Sequence, residues 1–285
     1  MEKDRVILSL GGPWVLVQWG PMVIKVGAWR GYRPAPELAE RGAHCALQCL
    51  QEVADHLRLL RLKAYRLKVT SNLPRVVAAM IEAARQVEGQ DLTPLSAVAG
   101  AIAERVADEA AAGGADRVVV DNGGDIALHL QQDQQIEVGV RPRVEDGRVM
   151  FKLRLDGSMG LRGVATSGLG GRSLTKGVAE AAVVLASRAA VADAAATAVA
   201  NATSVESAAV KRLLAEELDP GTDLLGEWVT AEVGPLSPEE KEEALQRGLL
   251  RAEQLRRQGL IWGALLHLQG EVRWTEGMEE VLQRV

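Results

Sequence analysis

The sequence predicts an α+β protein of mostly antiparallel sheets packed with helices. Three observations carry that prediction. Short β-prone runs separated by Gly and Pro open the chain, and a second block of such runs fills residues 118–185. Between and after them lie stretches whose apolar residues return every three or four positions. No internal repeat, low-complexity linker or shift in composition marks a boundary, so residues 1–285 are read as one domain.

Residues 6–10, 14–19 and 22–26 form an opening meander. Over residues 36–60, Ala39, Ala43, Ala46, Leu50, Val53, Leu57 and Leu60 recur at alternating steps of four and three, the period of an amphipathic helix. Residues 64–69 read as a strand. Residues 73–87 and 94–112 read as helices, the second entered through Thr93 as cap and Pro94 at the first helical position. Strands follow at 118–120, 126–130, 136–140, 149–155, 163–166 and 178–185, broken by polar or glycine-rich turns. The alanine-rich residues 193–209 read as helix, a character extended after a break over residues 211–217. Ser237-Pro238-Glu239-Glu240 opens a helix reaching Gln258, with acids at its start and bases at its end, and Gly259 suits its C-terminal cap. Residues 261–269 and 271–274 return as a hairpin across Gly270.

With 47% apolar residues in 285, the chain can bury an enzyme-sized core, which excludes disorder as its main state. A net charge of -5, with Lys and Arg scattered among acids, lacks the basic stripe of a nucleic-acid-binding surface. The first apolar run is broken by Gly11, Gly12 and Pro13, too early for a membrane span and unlike a signal peptide, so a cytoplasmic protein without membrane association is expected. Cys45 and Cys49, the only cysteines, lie four apart on a predicted helix, where a disulfide is not the natural geometry and reduced thiols fit. With His44 they make no zinc site, because His56, His129 and His267 supply no second cluster.

Asp193 and Thr197 also lie four apart and can offer a carboxylate and a hydroxyl to one hard cation. Spacing alone favours a plainer arrangement in which Asp193 caps the helix and Thr197 fills a small core position. In Asp121-Asn122-Gly123-Gly124-Asp125, glycines just past a strand can turn amides toward a phosphate or a ring edge. The same residues serve equally as a hairpin turn, which leaves Asp125 unexplained. The segment 166–177 offers hydroxyls and two cations, Arg172 and Lys176, to an anionic phosphate, or is a plain loop. No Walker A, Gly-x-Gly-x-x-Gly or Gly-x-Ser-x-Gly pattern can be placed.

Taken in order, Leu95-Ser96-Ala97-Val98-Ala99-Gly100-Ala101-Ile102-Ala103, Asn122-Gly123-Gly124-Asp125, Ala165-Thr166-Ser167-Gly168 and Ala192-Asp193-Ala194-Ala195-Ala196-Thr197 resemble the ApbE-like superfamily. The motif-bearing core spans about residues 91–201, and residues 94–103 and 192–201 are most similar to a bacterial and archaeal branch related to the FAD:protein FMN transferases. The resemblance implies an ApbE-like domain that binds a flavin nucleotide, FAD or FMN, beside Mg2+. It implies Asp193, Thr197 and the Ala99 carbonyl as metal ligands. It implies Asn122, Gly123, Gly124, Asp125, Thr166, Ser167, Gly168 and Arg172 as the nucleotide lining. In the transferases a threonine of an acceptor protein attacks the FAD pyrophosphate, keeps FMN and releases AMP.

Two departures stand out. Where the transferases have Gly-Ile-Ala-Lys-Gly-Tyr-Ala, this chain has Gly100 in place of the lysine, and their His-Ile-Ile-Asp-Pro-Arg-Thr-Gly segment gives way to residues 170–177. Arg172 or Lys176 would then replace the missing charge. The resemblance also admits a non-transferase enzyme or accessory factor, since members of this branch are linked in methanogens to sulfide use in making homocysteine. It admits as well a flavin-binding or scaffold module without catalysis. A homo-oligomer formed through the alanine-rich helix fits any of these.

Overall fold

The computed structural model describes residues 5–142, 149–171 and 173–285. The chain begins with strands β1 (Val6–Gly11), β2 (Trp14–Trp19), β3 (Met22–Arg30) and the two-residue β4 (Arg33–Pro34). Helices α1 (Pro36–Asp55), α2 (Leu57–Leu60), α3 (Arg75–Glu88) and α4 (Val98–Ala112) follow. Six strands come next: β5 (Arg117–Asn122), β6 (Asp125–Leu130), β7 (Gln135–Val140), β8 (Phe151–Asp156), β9 (Gly163–Ser167) and β10 (Ala181–Ala186). After α5 (Ala189–Ala202) the chain continues through β11 (Val210–Leu214), α6 (Ala215–Leu218), β12 (Trp228–Val233) and α7 (Pro238–Arg257), and it ends with β13 (Gly263–Leu268), β14 (Glu271–Trp274) and β15 (Leu282–Arg284).

The main sheet has ten strands in the order β1-β2-β3-β5-β6-β9-β10-β13-β14, with β4 beside β3, and its pairings are antiparallel. Both faces are covered. Side chains alternate across a strand, so Val118 and Val120 of β5 enter one core and Val119 enters the other. The first core lies between the sheet and the helices, where Val26, Val118 and Val184 meet Ala43, Val106 and Ala196. The second lies under the three-stranded sheet β15-β8-β7, where Leu128, Val164 and Val183 meet Val138, Phe151 and Leu153. Burial on both faces explains why the central strands read as near-continuous apolar runs.

Five local expectations change. Residues 64–69 form no strand: Ala64–Arg66 is a single 3-10 turn, whose Ala64 and Tyr65 amides bond to the Leu92 and Gly89 carbonyls beyond α3 instead of to a sheet edge. The first long helix breaks at His56, so α2 is a separate turn. Thr93 caps nothing; its hydroxyl bonds to Asp223, and Pro94–Ala97 makes a 3-10 turn before α4. Residues 210–214 are a strand paired with the unanticipated β12, because that register gives Val210 and Leu213 partners in Val233 and Val229.

The fifth change concerns α5, which starts at Ala189 and stops at Ala202. Beyond it the Thr203 hydroxyl accepts from the amides of Val178 and Ala179, both at 3.0 Å, tying the chain to the entry of β10. Ten of its residues, nearly all alanines, are buried among α3, α4, α7, β9 and β10, so this helix is interior and not available as a dimer face. The C-terminal helix follows its predicted signals: Ser237 and Glu240 form a reciprocal capping box at the start of α7, and Gly259 takes a left-handed φ of 72° just past its end. No helix among the described residues is long and apolar enough to cross a membrane.

Candidate functional site at the end of the β5–β6 hairpin

The β5–β6 turn is a two-residue hairpin loop of Gly123 and Gly124, with φ of 73° and 108°, closed by the facing pair Asn122 and Asp125. Positive φ at both loop positions is what glycine tolerates and what a tight hairpin demands. The turn reading therefore holds. Asn122 continues the Val118 and Val120 face toward the helices, whereas Asp121 shares the Val119 face toward the small sheet.

On the helical face the hairpin meets α4 and α5. Asn122 donates through Nδ2 to the Ala99 carbonyl at 3.1 Å, and Asp125 accepts at Oδ1 from the Thr166 amide at 3.2 Å. Asp193 lies in the second turn of α5, so it is not a cap; its Oδ2 accepts from the Gly100 amide of α4 at 2.8 Å. Burial, and after it the charge of Asp125, push the Asp193 carboxyl well above the usual carboxylate range, against the pull of the Gly100 and Ala99 amides. Thr197 stands one turn further along the same face, half-buried.

A carboxylate, a hydroxyl and a backbone carbonyl form an all-oxygen set suited to a hard cation, and a cation there would relieve the repulsion between Asp193 and Asp125. Among the described residues no three His, Cys, Asp or Glu side chains converge as a ready-made metal cage.

Gly100 explains the absent lysine. A Cβ at this position would fall 2.3 Å from the Ala189 carbonyl oxygen and 2.8 Å from the Asp193 Cβ, so the backbones of α4 and α5 exclude any side chain there. The same close approach delivers the Gly100 amide to Asp193. Lys176 does not take over the lysine's task either. Its ammonium is bound by Asp91 at 2.6 Å and Glu227 at 2.5 Å. Burial works against its charge, yet the two carboxylates hold its pKa above the ordinary lysine value. Lys176 thus pins the end of the 166–177 segment to the chain before α4. Arg172 lies outside the described residues.

On the opposite face of the hairpin end a cavity of about 430 Å³ opens toward the small sheet. Val23, Ile126, Val138, Val140 and Val164 give it an apolar floor. Its rim carries Lys25, Asp121, Arg141 and Thr166, with the backbone of Gly123, Gly124, Gly170 and Gly171. An apolar floor with a few convergent polar groups is the usual construction of a small-molecule pocket.

The residues named from sequence therefore divide. Ala99, Asn122, Asp125 and Asp193 lie together on the helical side, with Thr197 one turn beyond Asp193 on α5, while Gly123, Gly124 and Thr166 border the cavity. Ser167 and Gly168 are outside the cavity lining: Ser167 is 8% exposed on the alternate face of β9, and the amides after Gly168 bond to the Ala179 and Glu180 carbonyls. Lys25 and Arg141 were not foreseen. The signal for Lys25 was the buried alternation Met22, Ile24 and Val26, which sends Lys25 to the other face. Nothing in sequence showed that a cavity would form there.

The comparisons with known proteins agree with this architecture. The flavinyl transferase ApbE of Pseudomonas stutzeri, in its apo form, superimposes with a TM-score of 0.52 at 14% identity, covering 99% of this chain and 98% of that one. A mutant of the Vibrio cholerae flavin transferase ApbE gives 0.51 at 13% identity, covering 98% and 99%. At those identities the likeness establishes the fold. Among curated relatives, a UPF0280 protein of Methanococcus aeolicus is 32% identical over 128 residues, 45% of this chain and 50% of that protein. Another, of Archaeoglobus fulgidus, is 40% identical over 100 residues, 35% of this chain and 40% of that protein. The chain spans about half the length of the curated relatives it matches. The family model described as AbpE bacteria matches residues 7–274, nearly the whole chain. The protein belongs to this AbpE bacteria family, a member of the ApbE-like superfamily.

Proposed function

We propose that the protein binds a flavin nucleotide, FAD or FMN, together with Mg2+ at the end of the β5–β6 hairpin, and acts on the nucleotide's phosphoanhydride. One observation supports this reading: the hairpin end has the buried Asp193 carboxyl beside Asp125 and the Ala99 carbonyl on one face and an apolar-floored cavity on the other. In it, Asp193, Thr197 and the Ala99 carbonyl hold the cation, and Asn122 braces that crevice through its bond to Ala99. The Gly123 amide and the Thr166 hydroxyl bind phosphate oxygens, the Gly124 amide being held by Asp121 at 3.0 Å, and the flavin ring rests on the valine floor. Bound Mg2+ supplies charge neutralisation on the phosphate oxygens.

With FAD and an acceptor protein the balance is simple. The acceptor threonine oxygen bonds to the phosphorus of the FMN half, the pyrophosphate P–O bond breaks, AMP leaves with the bridging oxygen, and the hydroxyl proton passes to solvent. The reading carries with it a cytoplasmic protein that meets an acceptor partner. A second reading, a flavin carrier without turnover, is favoured by Gly100 and Lys176: one has no room for a side chain and the other is already paired, so neither brings a cation to the crevice.

Incubation with FAD and Mg2+ separates the readings. A thermal shift with FAD that requires Mg2+, followed by AMP release or FMN transfer to a threonine-bearing acceptor, supports the transferase. FAD bound and recovered intact supports the carrier. A protein with no thermal shift and no bound flavin overturns both.

A further inference from the structure

Away from the hairpin end, Cys45 and Cys49 of α1 are free, buried and 3.9 Å apart between their Sγ atoms. They face a second cavity of about 540 Å³, bordered also by Arg41, Arg75 and Arg105 from α1, α3 and α4. That separation is wrong for a disulfide. The bond needs sulfurs about 2.05 Å apart and Cβ atoms about 3.5–4.5 Å apart, whereas Cβ atoms one helical turn apart stand about 5–6 Å from each other. It is right for one atom held between two thiolates: sulfur–metal bonds of about 2.3 Å spanning 3.9 Å meet at about 115°.

We propose that Cys45 and Cys49 form a two-thiolate site for a soft monovalent d10 cation, with copper(I) as the ion that fits. The ligand count decides the class. No three His, Cys, Asp or Glu side chains converge among the described residues, so a four-coordinate zinc site is not built here, whereas copper(I) accepts thiolates at low coordination number. The third direction opens into the cavity, where an exogenous thiol can complete the sphere.

Charge fits as well. Two thiols and one cuprous ion give a dithiolate complex of charge minus one and release two protons. Arg41 is already paired with Glu109 at 2.5 Å, and Glu52 also borders the cavity, which leaves Arg75 and Arg105 to face the complex. The Cys45 thiol is pulled below its ordinary pKa, first by the Cys49 hydrogen bond and then by Arg105 against burial, while Cys49 is pushed up by sharing its proton with Cys45. Binding of the cation displaces both thiol protons.

The test is an anaerobic titration of the full chain with copper(I) against bicinchoninate. The wild type is expected to retain one equivalent. Cys45→Ala and Cys49→Ala should each weaken retention by at least about 10–100-fold, the loss that even a supporting outer contact produces. X-ray absorption of the copper-loaded protein should show two sulfur neighbours from the chain. Equal retention by the wild type and the double alanine variant, both with unchanged melting temperature, overturns the proposal, as does a spectrum without sulfur ligands. Flavin binding by the double variant should match the wild type, so this result and that for the flavin site are independent.

Discussion

The two sides of the β5–β6 hairpin end are built by opposite means. On the helical side, small residues bring backbones into contact: Gly100 of α4 lies against Ala189 of α5, and that contact presents an amide to Asp193. On the far side, side chains from β3, β6, β7 and β9 surround open space. The crevice is thus rigid and intolerant of added atoms, whereas the cavity can exchange side chains without moving backbone. The difference places geometric precision where a cation would sit and adaptability where an organic ring would lie.

The largest effect is expected at the crevice. Asp193→Ala should lower Mg2+-dependent FAD affinity by at least about 100-fold, and chelation of Mg2+ from the wild type should produce the same loss; isothermal titration checks both. Unchanged affinity in the variant would remove Asp193 from the cation site and break the contrast between the two sides.

Next comes the packing itself. Gly100→Ala places a Cβ 2.3 Å from a backbone oxygen and should cost about 3 kcal/mol, read from a denaturant melt. A lysine at this position should cost at least as much, because its Cβ meets the same backbone oxygen.

A smaller effect is expected where the cavity-side loop is anchored. Burial disfavours the Glu227 charge, but hydrogen bonds from Lys176 and Lys63 win and hold its pKa below the ordinary glutamate value. A lowered folded pKa means stability that is present above the unfolded value, about 4.3, and lost as pH falls through the folded value. Glu227→Gln should cost on the order of 1 kcal/mol at neutral pH. It should also flatten the acid limb of the stability curve below about pH 4.3; chemical melts across that range check the slope.

The smallest concerns the rim. Lys25→Ala should weaken FAD binding by no more than about 1 kcal/mol, roughly fivefold, and the difference should shrink as salt rises. A loss as large as that for Asp193→Ala would show that the cavity, and not the crevice, dominates the nucleotide's binding.

Much of this was legible before the fold was known. The opening meander, the start of α1 at Pro36, the helix opened at Ser237 and the β5–β6 hairpin follow from local signals and stand where those signals placed them. Ala99 and Asp193, read as cation ligands, and Asn122 and Asp125, read as nucleotide lining, lie on the same side of the hairpin end. What was not legible depends on partners distant in sequence. Residues 64–69 and 210–214 carry ambiguous local preferences, resolved by the end of α3 in one case and by β12 in the other. Lys176 offered a cation to any anion within reach, and only folding showed that Asp91 and Glu227 reach it first.

By itself, then, the sequence determined which segments are helix and which are strand wherever a period ran for several turns, because periodicity is a property of neighbours along the chain. It also determined that small residues crowd around Asp193. The tertiary structure alone decided that Gly100 must remain bare, that Ser167 turns away from the cavity that Thr166 enters, and that Lys25 reaches its rim. Each of these depends on which backbone lies across from which, a distance between residues far apart in the chain that local pattern does not encode.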